Sequence, residues 1–421
     1  WIETVKSLAK IAEVEPHAAL TAYTRSLQCQ WTFLARVMPD ISDLFEPLEH
    51  IIRTVFIKTL IKRDANDVER DMLGLPARLG GLGITNPVIS TPLSHTNSLI
   101  ISAPLDKLIK DQETTLDPTC LLDEVRLLRL DVDIKNDERS AASKERILSA
   151  ATPGLRVAVQ AASEKGASSW ITALPSFDND TVLHKGDFVD ALCIRYGWTL
   201  PNIPLRCPCD RAGFNLQHAL DCQLGGYRTA QHNQARDEIA KIMREAGLGN
   251  VVVEPQLQPL SGETFVYKSA NKDDDARSDI KCTGLWKSMR QAFFDVKVVS
   301  PYARSYAKYN PHSLYIKAEK TKEREYGERV RNVEHSDFFP LVFTCAGGIA
   351  PKSQQVLKRL AEIISEKQNI HLSLVCGWLR VRLSFALLKS TILCIRGTRK
   401  RKFNAADVNS ELAARAACTD L

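Results

Sequence analysis

Three charged residues in the third quarter of the chain have the types and the spacing of a metal-dependent hydrolytic site. Asp279 lies in the stretch Arg277–Ile280, and Asp295 follows sixteen residues later inside an apolar run. Lys297 is two residues beyond Asp295, so in a strand both side chains point to the same face. Two carboxylates bind a hard cation such as Mg²⁺ or Mn²⁺, and a lysine beside them can orient the attacking water. The pattern indicates phosphodiester hydrolysis, the chemistry of a nuclease.

A third carboxylate could complete this site, and the pattern also has a simpler interpretation. Glu254 ends the apolar strand predicted at 251–255, so we expect it to join the two aspartates. The simpler interpretation is a salt bridge between Asp295 and Lys297 on a half-exposed strand, since a buried charge must be paired or bind metal. The spacing alone leaves both interpretations open. The nearby acidic run 273–275 is expected to be a solvated loop.

A cluster of cysteines and one histidine lies upstream of the acidic residues. Cys207, Cys209, His218 and Cys222 fall within sixteen residues of one another. Three thiolates and an imidazole are the ligands of tetrahedral Zn²⁺, so the spacing predicts a structural zinc knuckle. His232 is a possible substitute ligand. The alternative is three buried thiols beside an unrelated histidine.

Composition narrows the class of protein. A chain of 421 residues is expected to hold two or three domains. A net charge of +6 mildly favours polyanionic partners. The eleven cysteines are odd in number and scattered, which argues against a disulfide framework and favours a reducing compartment. No apolar run approaches the length of a membrane span, and the most apolar segment, His371–Ile395, is expected to be an amphipathic helix pair.

The hydrophobic pattern changes along the chain. The first 112 residues have apolar residues at helical spacing, and the glycines of Leu75–Ile84 predict a tight turn or a close backbone approach. From residue 226 the pattern predicts a small α/β domain with a mixed sheet. Its predicted elements are helix His232–Ala246, strands Val251–Pro255, Ser278–Lys281 and Ala292–Val299, helix Lys317–Glu334 and strand Phe339–Thr344.

We therefore expect a multidomain protein of five segments. They are a helical region at 1–112, a helical connector at 113–185, a zinc knuckle at 186–225, the α/β domain at 226–350 and a helical basic tail at 351–421.

Two basic segments could contact nucleic acid. Helix Lys317–Glu334 carries Lys322 and Arg329 among glutamates, and it follows the strand of Asp295 and Lys297 directly. A mixed charge run is also typical of a solvated helix face. The tail could contact nucleic acid, act as a nuclear localisation signal or be a solubilising stretch. Its basic residues are Arg396, Arg399, Lys400, Arg401 and Lys402.

Four stretches together resemble a known family. The chain is similar to the carboxy-terminal part of a reverse transcriptase polyprotein from non-LTR retrotransposons that carry a restriction-like endonuclease. Leu75–Ile84 resembles the thumb region behind the polymerase palm, and the cysteine–histidine cluster resembles the family's knuckle. Arg277–Asp279 with Asp295-x-Lys297 resembles the PD-(D/E)XK nuclease core. Lys322, Tyr326 and Arg329 resemble its basic-aromatic helix.

The resemblance implies a function and partners. The endonuclease would nick target DNA with Mg²⁺ or Mn²⁺, and the exposed 3′ hydroxyl would prime reverse transcription of the element RNA. Lys322, Tyr326 and Arg329 would bracket the DNA backbone, with Arg399, Lys400 and Arg401 as further contacts. The location would be nuclear. The palm and fingers would lie upstream of Trp1, so we expect a fragment without a polymerase site.

The chain departs from the family pattern at two positions, and other functions stay open. Ser278 stands where the motif often has proline, and Asp295 replaces the commoner glutamate. One alternative is a retroelement remnant that binds nucleic acid without cutting it. Another is a structural assembly domain that uses the helical ends.

Overall fold

The computed structural model describes residues 1–112, 118–209, 213–303 and 309–399. The chain is 61% helical, with one small mixed sheet of four strands, as the sequence predicted in outline. It divides into two compact units. Unit 1 consists of Trp1–Val159 and His184–Val189, and unit 2 of Gln160–Leu183 and the chain from Asp190 onwards. The finer division into five segments stays a prediction. None of the described helices combines the length and apolar character that a membrane crossing requires.

Unit 1 is built from helices, and side-chain caps mark the start of two of them. Asn66 and Glu69 form a reciprocal capping box at the start of α6, and Asn86 caps α7. A Cβ at Gly81 would clash with the Leu75 carbonyl oxygen, so the predicted close backbone approach is confirmed. The helices are α1 Ile2–Ala12, α2 Pro16–Arg25, α3 Thr32–Val37, α4 Glu46–Ile51, α5 Lys58–Ile61, α6 Asp67–Gly74, α7 Pro87–Asp111 and α8 Pro118–Ala150.

The helices from residue 153 onwards follow in chain order. They are α9 Pro153–Ala162, α10 Ser169–Thr172, α11 Lys185–Tyr196, α12 Leu216–Asp221, α13 Tyr227–Ala246, α14 Pro311–Lys322, α15 Glu328–Asn332, α16 Pro351–Gln368 and α17 Leu372–Arg396.

The sheet of unit 2 has the strand order β1-β2-β3-β4. The β1/β2 and β2/β3 pairs are antiparallel, and the β3/β4 pair is parallel. This mixed topology is the one the sequence predicted for the α/β domain. The strands are β1 Gly249–Val253, β2 Ile280–Thr283, β3 Gln291–Val299 and β4 Asp337–Thr344.

Strand β3 is buried on both faces, and its side chains alternate between two cores. Phe294, Val296 and Val298 belong to the larger core, which contains residues of α13, α16 and α17. Phe293 belongs to a smaller core with residues of α15 and β4. The strand period of two predicted this separation, which puts Asp295 and Lys297 on the side of Phe293.

Two helical predictions needed adjustment. The predicted helix Lys317–Glu334 begins earlier, as α14, and continues through a π-helical segment, Glu323–Gly327, into α15. The helix pair expected for 371–395 is wrong, because α17 is one continuous helix. Its middle is apolar enough to be buried against α13 and α16 without a break.

Candidate functional site

The two predicted aspartates lie close together where the β2/β3 pairing ends. The last pair of the register is Ile280 with Phe294, and Asp279 directly precedes β2 while Asp295 directly follows Phe294 in β3. The backbone N–H of Asp279 donates to the Phe294 carbonyl over 3.1 Å, so Asp279 stays hydrogen-bonded to β3. Its carboxylate accepts from the backbone N–H of Val296, the residue next to Asp295, and its charge raises the pKa of Asp295. The two carboxylates are therefore near each other.

Both oxygens of the Asp279 carboxylate are held by neighbours. The backbone N–H of Val296 donates to Oδ2 over 2.6 Å. His232 Nε2 lies 3.0 Å from Oδ1, and His232 projects from the first half of α13. The proposed substitution of His232 for a zinc ligand is therefore wrong, because helix packing brings it to the aspartate. The two contacts fix the direction of the Asp279 side chain.

Asp295 is buried beside a lysine. Only 4% of Asp295 is exposed, and Lys322 Nζ lies 2.9 Å from its Oδ2. Burial, followed by the charge of Asp279, raises the pKa of Asp295 to about 7, although Lys322 opposes the shift. Burial disfavours the charged form of Lys322, but Asp295 and Glu325 outweigh it and raise the pKa of that lysine. The simpler interpretation, a salt bridge between Asp295 and Lys297, is wrong, because Asp295 forms its ion pair with Lys322.

Lys297 borders a small cleft next to this pair. Burial, and then the positive charge of Lys322, lowers its pKa, so its proton is held less firmly than that of an exposed lysine. The cleft has a volume of about 260 Å³. Three basic side chains and a histidine contribute to its wall, which suits an anion beside the carboxylates. The lining residues are Arg228, Gln231, His232, Val296, Lys297, Val298, Lys322 and Glu325.

Arg228 is a cation of this cleft that the sequence analysis did not single out. Its Nη1 donates to Gln231 Oε1 over 2.8 Å, and Gln231 Nε2 donates to Thr391 Oγ1 over 2.8 Å. Gln231 is buried, so it holds the Arg228 side chain in a fixed position. A signal was present in the sequence: Arg228, Gln231 and His232 recur at helical spacing on one face of α13. Only the packing of α13 on the sheet shows where that face points.

Glu254 does not join the aspartates. It follows β1 with a left-handed backbone, φ +53°, and its carboxylate is paired with Arg236 of α13. Its backbone N–H donates to the Asp279 carbonyl over 2.9 Å, so the main chains are adjacent while the side chain points elsewhere. The prediction of Glu254 as a third carboxylate ligand is therefore wrong in this structure. The acidic run 273–275 is exposed, as expected.

The predicted zinc ligands do come together. All four ligand atoms lie within 4.8 Å of one another, and no other such group of three or more His, Cys, Asp or Glu exists in the described part of the chain. Cys207 Sγ is 3.8 Å from Cys222 Sγ, and Cys209 Sγ is 3.3 Å from His218 Nε2. In a tetrahedral site with zinc–sulfur bonds of about 2.3 Å, two sulfurs lie about 3.8 Å apart. The cluster could bind a metal ion such as zinc.

The local fold presents these ligands. Asn215 caps α12 by accepting from the His218 backbone N–H over 2.8 Å, which sets the orientation of His218 at the helix start. Phe214 packs edge-on against the His218 ring at 5.5 Å. Cys222 directly follows the last residue of α12 and is its C-cap. The short helix and the residue after it therefore supply two of the four ligands.

The tail arginines in the described part of the chain form contacts within the protein. The Arg399 guanidinium lies over the rings of Phe214, at 4.6 Å, and Tyr227, at 5.5 Å, and so joins the end of α17 to the knuckle. Arg396 forms a two-pronged ion pair with the buried Asp190. Arg399 is thus engaged within the protein rather than presented as an exposed nucleic-acid contact. Lys400 and Arg401 lie outside the described residues.

The three predicted backbone contacts on the basic helix differ in position. Lys322 and the half-buried Tyr326 lie at the site, with Lys322 Nζ 5.4 Å from the Tyr326 ring centre. Arg329 is wholly buried, and it donates to the carbonyls of Gln258, Asn271 and Asp273. The predicted DNA contact of Arg329 is wrong, because a side chain without exposed surface cannot reach a phosphate. Its role is to hold the loop that leads to β2.

Comparison with known proteins identifies no family. The chain matches no protein-family model, and no curated protein was found to be related to it.

Proposed function

We propose that unit 2 is a metal-dependent endonuclease that hydrolyses phosphodiester bonds in DNA. The observation that supports this most is the closeness of the Asp279 and Asp295 carboxylates at the end of the β2/β3 pairing, with Lys297 and two further cations around the adjoining cleft. A site for a divalent cation needs carboxylates that converge in this way.

The chain's own residues have separable roles in this proposal. Asp279 and Asp295 would hold the Mg²⁺ or Mn²⁺, which offsets phosphate charge and yields a nucleophile from water. Asp295 would exchange its contact with Lys322 for the cation. Lys322 Nζ is then available to the phosphate, beside Lys297 and Arg228. Lys297, with its lowered pKa, can exchange a proton with the attacking water more readily than an exposed lysine.

The wider setting follows from the sequence resemblance and is part of the proposal. The nuclease would belong to a retroelement reverse transcriptase polyprotein and would nick the DNA target in the nucleus. The element RNA would then be copied from the new 3′ end by polymerase modules outside this chain. The zinc knuckle would be structural, because four protein ligands leave no open position for a substrate. We expect no primer extension by this chain.

A second candidate is supported by the state of the carboxylates. Asp295 is engaged by Lys322 and Glu254 by Arg236. A protein that binds DNA without cutting it would keep such ion pairs, since they satisfy the acids without metal. Cleavage and binding therefore have to be measured separately.

The test is nicking of supercoiled plasmid by the zinc-loaded chain with Mg²⁺ or Mn²⁺. Asp279→Asn and Asp295→Asn should reduce nicking at least about 100-fold and leave DNA affinity nearly unchanged. Asp275→Asn, from the exposed acidic run, is the matched control and should nick like wild type. If the wild-type chain binds DNA and never nicks it, the second candidate replaces the first. Equal nicking by all variants means that the site is elsewhere.

A further inference from the structure

We propose that the groove between α7 and α8 in unit 1 binds a single strand of nucleic acid through four arginines. This inference concerns binding and does not depend on the nuclease proposal. We call this site the α7/α8 groove, and its arginines are Arg36, Arg129, Arg139 and Arg146.

The groove is long and continuous. It consists of two adjoining cavities of about 590 Å³ and about 690 Å³, which share Ser94, Asn97 and Asn136 as lining residues. Along α8 the lining runs from Val125 to Ala150, about 38 Å at 1.5 Å per residue. These lining positions recur every three or four residues, so one face of the helix forms one wall. A site of this shape suits an extended chain more than a compact ligand.

The groove carries more positive than negative charge, which favours an anionic ligand. Within the described residues, none of the four arginines forms an ion pair with a carboxylate, and only Asp71 and Asp133 contribute acidic groups to the wall. Other cations of the same helix are neutralised: Arg126 pairs with Asp123, and Lys135 pairs with Asp131. The groove arginines lack such pairing, which leaves an unbalanced positive potential along the groove.

Neutral polar groups hold two of the arginines in place. Arg139 Nη1 donates to Asn136 Oδ1 over 3.1 Å, and Asn97 Nδ2 donates to the same oxygen over 3.2 Å. Arg146 Nη2 donates to Ser143 Oγ over 2.9 Å. These partners orient the guanidinium groups without neutralising them. Each guanidinium keeps further N–H groups for the phosphate oxygens that it binds best.

The mixed wall and its width favour a single strand. The amides and hydroxyls between the arginines can donate to and accept from sugars and base edges. The wall also contains apolar side chains, among them Ile89, Leu93 and Ile147. Packed helix axes lie about 8–10 Å apart, so a cleft between two of them cannot admit the full width of a duplex. RNA and single-stranded DNA offer the same phosphodiester chemistry. An acidic polypeptide offers charge without bases or sugars.

The test is the affinity of the full zinc-loaded chain for a fluorescent 20-nucleotide strand, as RNA and as DNA, without Mg²⁺ or Mn²⁺. Arg129→Gln with Arg139→Gln should weaken binding about 10- to 100-fold at low salt, since each charge-assisted contact is worth about tenfold. Two lost phosphate contacts should also lower the salt slope by about 1.4. The matched control, Arg126→Gln with Lys135→Gln, changes two cations of the same helix that do not line the groove and should alter neither value.

The arms of the experiment distinguish the occupants. The strand, RNA or DNA, whose affinity falls more when the two groove arginines are replaced is assigned as the ligand. A loss of affinity for either strand supports the proposed site. Equal losses in both double variants, or no loss in either, overturn it. So does displacement of the strand by polyglutamate at equal charge, which would assign the groove to an acidic polypeptide. A duplex that binds as tightly, with the same dependence on the groove arginines, overturns the single-strand assignment.

Discussion

Replacement of Arg329 by methionine should destabilise unit 2 strongly, although the sequence suggests a surface arginine. The side chain is wholly buried and makes three hydrogen bonds of 2.8–3.1 Å to the carbonyls of Gln258, Asn271 and Asp273. Methionine has a similar length and no donor. It leaves three carbonyls without a partner at about 1 kcal/mol or more each, while loss of a buried charge recovers a part. We expect a loss of about 3 kcal/mol in the free energy of unfolding.

The measurement is urea-induced unfolding followed by hydrogen exchange of peptides from β2 and β3, which reports on unit 2 by itself. Arg331→Met is the control, since Arg331 is half exposed and its pair with Glu323 is worth under about 1 kcal/mol. Arg329→Lys retains the charge and fewer donors, so its loss should be intermediate and should stay measurable if the methionine variant does not fold. A midpoint for Arg329→Met equal to that of Arg331→Met would refute the reasoning.

Three further predictions concern other parts of the chain. Cys209→Ser should lower the zinc content of the purified chain from about one equivalent towards zero, because three ligands hold the ion more weakly; unchanged zinc on metal analysis contradicts the cluster. Cys282 should resist alkylation at pH 8 while exposed Cys29 reacts, since burial raises the pKa of Cys282 to about 12; equal labelling by mass spectrometry contradicts the packing. Arg228→Gln should weaken duplex DNA binding and lower its salt slope by about 0.9, whereas Arg244→Gln, in the last turn of the same helix, should not.

The features that could be predicted from the sequence depend on local pattern. Strand β3 was predicted because an apolar run with a period of two allows few other structures, and the alternation also gave the faces of Asp295 and Lys297. The knuckle was predicted because its four ligands are close in sequence, so a short loop and one helix bring them together.

The features that were missed depend on contacts between distant segments. Arg329 looked like part of a solvated helix face, because the carbonyls that bury it come from a loop more than fifty residues earlier. His232 looked like a spare zinc ligand until the packing of α13 brought it to Asp279. The strand predicted to end on Glu254 ends at Val253, and the left-handed backbone at Glu254 turns its carboxylate to Arg236. Spacing along the chain specifies none of these pairings.

The central claim is that Asp279 and Asp295 together hold one divalent cation. The most direct measurement is calorimetric titration of the zinc-loaded chain with Mn²⁺, with and without duplex DNA. We predict one Mn²⁺ per chain beyond the zinc, lost in both Asp279→Asn and Asp295→Asn and retained in Asp275→Asn. Wild-type protein that takes up no Mn²⁺ in either condition, or an Asp275→Asn variant that alone loses it, would contradict the account.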